Sequence, residues 1–293
     1  MQLLAVQKSV DEENFDKMKV AYDACLNEEK LKSVGAEPLL KALEEVKQTY
    51  PVSTTAAPDT HALKDAILLL AKFGVSALVS SGVGADDTDP DTVVVSVSSP
   101  WNFGLPSKER YEDDELVEKY RSVAVEVLSA LYPDHDKDLF GKIVDLEKRL
   151  AAASPSSEER DDVTRYYNPM LVGEAAAIAP EIGLEALLYG LAPKNSRIER
   201  VIVMAPNYLK ELSITLAATD MEVLQGYFLW KTVQAYAPYV DAVAVKPYKR
   251  FLNVLAGKVR FCYGHSTPSA NRRRILSPPQ SAGEFALVTS TMG

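Results

Sequence analysis

The sequence predicts a mainly α-helical fold carrying one small antiparallel β hairpin. Two patterns lead there. Apolar residues recur at steps of three and four through most of the chain, the spacing that lines one face of a helix. Two runs break that period, Val75 to Val83 and Val93 to Val97, and the turn-forming stretch GADDTDPDT joins them as a hairpin. At 293 residues, 47% hydrophobic and 25% charged, the chain is long enough for a substantial core. A net charge of −9 argues against nucleic acid as a partner, which calls for a basic face. No run approaches the roughly 18 apolar residues of a membrane span. The opening MQLLAVQKSVDEENF has too short an apolar part and no basic start, so it does not read as a signal peptide. Two cysteines in so long a chain do not define a redox compartment.

In chain order, Phe15, Met18, Tyr22, Cys25 and Leu26 form one helix face, expected to be buried, with Cys25 upon it. Gly35 is the natural stop, because glycine takes a positive φ at no steric cost. Glu37-Pro38 reopens a helix whose stripe is Leu39, Leu40, Leu43 and Val46. So short a turn should pack the two helices on each other or on a shared third element. Tyr50 to Thr60 reads as a linker, His61 to Phe73 as a helix ended by Gly74. Asp87, Asp89 and Asp91 in the hairpin turn alternate like calcium ligands. A calcium loop, however, needs a glycine and a closing glutamate where Thr92 and Ser98 stand, so a solvated turn is expected. Trp101, Phe103 and Leu105 form a hydrophobic plug at the hairpin exit. Leu116, Tyr120, Val123, Val127 and Leu131 line one further helix; Leu139, Ile143, Leu146 and Leu150 line the next. The charged stretch from Glu158 to Met170 reads as a solvated or mutually paired surface. Arg200 to Met204 is a short strand turning into a helix at Ala205-Pro206, and Thr219-Asp220 caps another that carries Leu224, Tyr227, Phe228, Trp230 and Lys231. Tyr239 to Ala256 closes the pattern with Tyr248, Phe251, Leu252 and Leu255.

Several of these segments also resemble, in the same order, the non-catalytic helical region of neprilysin-like zinc metalloendopeptidases, the family that includes the endothelin-converting enzymes. The resemblance rests on Tyr22-x-x-Cys25, Glu28-Glu29, Gly35-x-Glu37-Pro38-Leu39-Leu40, Gly104-Leu105-Pro106, Tyr167-Asn168 with Met170, and the run Ala205-Pro206-Asn207-Tyr208-Leu209 after a Val-rich strand. It covers residues 10 to 257. It implies a domain over 1–257, the helical lobe that encloses peptide substrates in such enzymes, with zinc held elsewhere in the complete enzyme. Residues 258–293, rich in Ser, Pro, Gly and Arg without periodicity, read as a divergent, disordered tail. The resemblance also implies a bridge between Cys25 and Cys262, which the chain-entropy view would credit with about 5 kcal/mol; two unpaired thiols are the other reading.

No catalytic set is legible. The family's zinc site is a His-Glu-x-x-His helix, whose histidines fall four apart on one face with the glutamate as general base. His61, His135 and His265 stand alone, with no second histidine four residues away. There is no Gly-x-Ser-x-Gly elbow or phosphate-binding loop, and Gly82-Val83-Gly84 lacks the rest of a dinucleotide fingerprint. The expectation is a chain truncated before the catalytic zinc domain and inactive alone. A stand-alone peptide-binding or regulatory partner of a complete peptidase is the alternative, and an unrelated helical scaffold is the third.

Overall fold

A computed structural model of the chain describes residues 10–52 and 60–257. It opens with helices α1 (Val10–Leu26), α2 (Glu28–Val34), α3 (Glu37–Thr49) and α4 (Thr60–Lys72), followed by strands β1 (Ser80–Ala85) and β2 (Val93–Ser98). Helices α5 (Asp114–Leu131), α6 (Lys137–Ala153), α7 (Ser157–Asp161) and α8 (Val163–Tyr166) lead to strand β3 (Pro169–Leu171). Then come α9 (Val172–Ile178), α10 (Leu184–Leu191), strand β4 (Arg200–Val203), α11 (Pro206–Ala217), α12 (Met221–Tyr236) and α13 (Lys246–Leu255). The mainly helical expectation holds. The tail, Cys262 and His265 lie outside the described residues.

Helix ends follow from local chemistry. Asp113, Asp136 and Ser156 each accept a backbone N–H at the start of α5, α6 and α7, and Gly74 closes α4 at φ 74°. Asp220 stands at the N-cap of α12 as expected, but its side chain makes no capping bond; the Thr219 hydroxyl donates instead to the Thr215 carbonyl at 2.6 Å.

The apolar stripe of α1 is where the structure departs most from expectation. Phe15 is 62% exposed and Met18 64%, with Tyr22 and Leu26 exposed too, and α1 makes no extensive contact with another described element. Spacing alone forms the helix; it does not supply a partner. The side chain of Cys25 is not among those described. The Asn27 cap breaks the segment into two helices, and α2 buries nothing.

The core is organised around α12. Ten consecutive or near-consecutive positions from Val223 to Val233 are buried, including Trp230, Tyr227 and Phe228. A helix apolar on every side has to be surrounded, and α12 packs on both α3 and α6. Gly226 permits the closest approach: a Cβ there would lie 2.5 Å from Cδ1 of Ile143 on α6.

The sheet has four strands in the order β1-β2-β4-β3, so the hairpin is extended rather than isolated. β1 and β2 pair antiparallel, with Gly82 opposite Ser96; β2 and β4 pair parallel, with Val97 opposite Val203; β3 joins the far edge antiparallel. Two strand expectations need correction. The run expected as a strand from Val75 enters the ladder only at Ser80, because Val75, Ala77, Leu78 and Val79 are buried in a loop that packs into the core. β3 was not legible at all. Alternation then divides the sheet into two faces. Val97, Val201 and Val203 point into the helical core, whereas Gly82, Gly84, Val94, Ser96 and Ile202 share the opposite face.

Gly226→Ala should therefore overpack the α12–α6 crossing and cost about 1–3 kcal/mol despite alanine's better helix propensity. Ile143→Val removes the clashing methyl. Urea unfolding should show the double variant less destabilised than the sum of the two single changes.

Candidate functional site

The outer sheet face ends at a turn whose four aspartates are not equivalent. Asp87, Asp89 and Asp91 are exposed, as a solvated turn requires. Asp86 is 1% exposed. Its Oδ1 accepts the Thr88 backbone N–H at 2.9 Å, the Thr88 hydroxyl at 2.8 Å and the Tyr167 hydroxyl at 2.6 Å. Its Oδ2 accepts Arg200 Nη2 at 2.6 Å. One carboxylate thus ties the β1–β2 turn to the entry of β3 and the first residue of β4. The Tyr167 hydrogen bond, then the Thr88 N–H and the Arg200 charge, hold its pKa down to about 2.

Beside this hub a groove of about 390 Å³ crosses the outer face. Its floor is Gly84, Val94, Ser96 and Ile202, and its far wall is Arg160, Asp161 and Tyr166 of α7 and α8. That wall is held by a capping box between Ser156 and Glu159 and by Arg165, which pairs with Glu159 at 3.0 Å and Asp162 at 3.4 Å. The charged stretch is therefore a partly paired, partly solvated surface, as its composition suggested. Arg160 is the exception. Half-buried, it donates through Nη2 to Ser99 Oγ at 3.0 Å and the Pro100 carbonyl at 3.2 Å, and lies over the Trp101 ring at 5.1 Å. On its other side is a second cleft, of about 260 Å³, lined by Trp101, Phe103, Pro106 and Lys108. Phe103 and Leu105 are the buried plug that the sequence suggested, but Trp101 is 63% exposed at the cleft rim.

A second polar cluster lies inside the core. Glu147 on α6 is fully buried and accepts the Tyr111 hydroxyl at 2.6 Å and the Tyr120 hydroxyl at 3.1 Å. Tyr120 in turn accepts from Trp230 Nε1 at 2.7 Å, and Lys231 donates to the Phe103 carbonyl at 2.6 Å. Burial pushes the Glu147 carboxyl up, opposed by the Lys231 charge, and pushes the Lys231 ammonium down, opposed by Glu147. Gly104 sits against the cluster: a Cβ there would meet the Tyr120 hydroxyl and Glu147 Oε1. These buried groups anchor the loop after the hairpin. Sequence reasoning missed both Glu147 and Asp86. The usable signal for Glu147 was one carboxylate lying on the apolar stripe of Ile143, Leu146 and Leu150; for Asp86, among four turn aspartates, there was none.

His61 opens α4, and His135 lies in the turn after α5, edge-on to Tyr132. Among the described residues no three His, Cys, Asp or Glu side chains are placed to hold a metal ion.

Two outcomes follow from the two clusters. Asp86 stability is full above its ordinary value of 3.8 and is lost as pH falls toward about 2. Thermal melts should show wild type weakening across that window; Asp86→Asn should be less stable at neutral pH and flatter below pH 4. Lys231→Met, which leaves Glu147 buried without its nearby charge, should cost about 3–5 kcal/mol, and adding Glu147→Gln should recover part of it in urea unfolding.

The model of peptidase family M13 matches residues 1–264. Endothelin-converting enzyme 1 of Rattus norvegicus is 26% identical over 261 residues, covering 84% of this chain and 33% of that protein. Neprilysin of Homo sapiens is 26% identical over 305 residues, covering 94% of this chain and 39% of that protein. The chain thus spans little more than a third of the length of the curated relatives it matches. Among solved structures, a zinc metalloprotease of Mycobacterium tuberculosis in its open state superposes with a TM-score of 0.69 at 20% identity, over 82% of this chain and 36% of that one. PepO from Lactobacillus rhamnosis superposes at 0.61 and 18% identity, over 77% and 35%. Family match and shared fold together place the chain in peptidase family M13, as a mainly helical lobe.

Proposed function

We propose that this chain is the non-catalytic, substrate-enclosing lobe of a neprilysin-like zinc metalloendopeptidase and is inert toward peptides by itself. The lobe occupies residues 1–257, with 258–293 a tail apart from it. The observation that carries this reading is the combination of a family match along 1–264 with a sequence that holds no His-Glu-x-x-His. Two zinc-binding histidines need one helical face at i and i+4. Here the position four after His61 is Asp65, and four after His135 is Leu139. Zinc would belong to the other lobe of a complete enzyme, and peptides would be what the two lobes enclose together.

The lobe's build supports an enclosing role. The helical body is braced internally by the Glu147 cluster, while the sheet turns outward a face of Gly82, Gly84, Val94, Ser96 and Ile202. A rigid wall with an open face is what restricts a substrate without reacting with it.

Purified chain supplied with Zn²⁺ should release no fluorescence from a quenched peptide substrate above the buffer rate, yet should bind short unlabelled peptides in a calorimetric titration. Turnover abolished by a chelator would overturn the inert reading. A flat titration with millimolar peptide would overturn the enclosing one.

A further inference from the structure

The outer face of the sheet is built unlike the inner one. On the inner face Val97, Val201 and Val203 fill the core. On the outer face the facing positions of β1 and β2 are Gly82 with Ser96 and Gly84 with Val94. Glycine at alternate positions of a strand strips that face of side chains and lets another backbone or a ligand come close. A Cβ at Gly84 would meet nothing within 4 Å, so the space above it is open. β1 is also a terminal strand of the sheet, and no described strand pairs with its far edge. A free strand edge is a template for an added strand.

The charges say what kind of strand. Asp87 and Asp161 both line the groove, and neither is in an ion pair among the described residues. Asp89 and Asp91 extend the acidic rim along the turn. Asp86 adds nothing to it, being neutralised by Arg200. Arg160 lines the groove as well, but its guanidinium is committed to Ser99 and Pro100 and turned over Trp101. Tyr166 is drawn to Asp87, whose charge, after burial, keeps the phenol protonated. What remains open to a ligand is a negative pair beside a floor of Gly84, Val94, Ser96 and Ile202.

We propose that this groove binds an extended peptide carrying a basic side chain. The peptide main chain lies along the free edge of β1 beside Gly82 and Gly84, and a lysine or arginine side chain reaches between Asp87 and Asp161. The inference rests on the peptide-enclosing reading above and gives it a surface and a charge preference. Backbone pairing supplies affinity that is indifferent to sequence, while the two carboxylates select the cation.

The test uses the full chain and two fluorescein-labelled, Val- and Thr-rich peptides that differ only in two central residues, arginine in one and glutamate in the other. By anisotropy, the arginine peptide should bind about tenfold more tightly at low salt, with the advantage shrinking as salt rises. Asp87→Asn with Asp161→Asn should remove that advantage. Gly84→Val, whose Cβ would have no neighbour within 4 Å, should weaken both peptides at unchanged melting temperature. Equal binding of the two peptides, or arginine-peptide binding that survives Gly84→Val, would overturn the groove while leaving the enclosing role intact. Failure of both peptides to bind would overturn both readings.

Discussion

A carboxylate with no access to water is the constraint on which this lobe depends. Removing Glu147 from solvent costs several kcal/mol unless its oxygens are satisfied, and the groups that satisfy them come from widely separated parts of the chain. Tyr111 approaches from the turn before α5, Tyr120 from α5 itself, and Gln234 from α12. The same tyrosine that serves Glu147 accepts the backbone N–H of Gly104 and Leu105. The loop leaving the hairpin is therefore pinned to three helices at once. Lys231 completes the arrangement by holding the Phe103 carbonyl on the same loop. Polar contacts in the middle of an apolar core thus act beside the packing of the valines in fixing this loop against the helical body.

Asp86 performs a related task at the opposite end of the hairpin. It joins a turn to two strands that would otherwise meet only through short ladders of three pairs each. With one end of the hairpin locked by Glu147 and the other by Asp86, the outer face can be left nearly bare. Glycine and serine in β1 and β2 contribute little packing, and a strand made of them would be poorly held without such ties. The groove is thus a product of the two clusters as much as of its own lining.

How much of this was legible depends on which residues are considered. The α5 and α6 stripes were readable because each helix has one wet side and one dry side, and spacing records that contrast. The α12 segment was readable as a helix, yet being apolar all round it gave no hint of which faces meet α3 and α6. β3 is a strand of three residues that begins with a proline; it exists because β4 lies alongside, and no local preference could announce it. Phe15, Met18 and Tyr22 gave a true helix and a false burial, since periodicity reports a face and is silent about what covers it. For the site, the aspartate-rich turn was visible, but the difference between Asp86 and its neighbours is made by Tyr167 and Arg200, far away in sequence.

The parallel pairing of β2 with β4 sets Val95 beside Val201, with about a hundred residues, mostly helices and loops, between them. During synthesis the hairpin leaves the ribosome long before its inner neighbour exists. Until β4 arrives, the edge of β2 that it will occupy, Val95 to Val97, has unpaired backbone groups in a valine-rich strand, the composition that seeks other strands. The nascent lobe consequently has a waiting period in which its most aggregation-prone edge is open, and the length of that wait is fixed by topology and not by the stability of the finished fold.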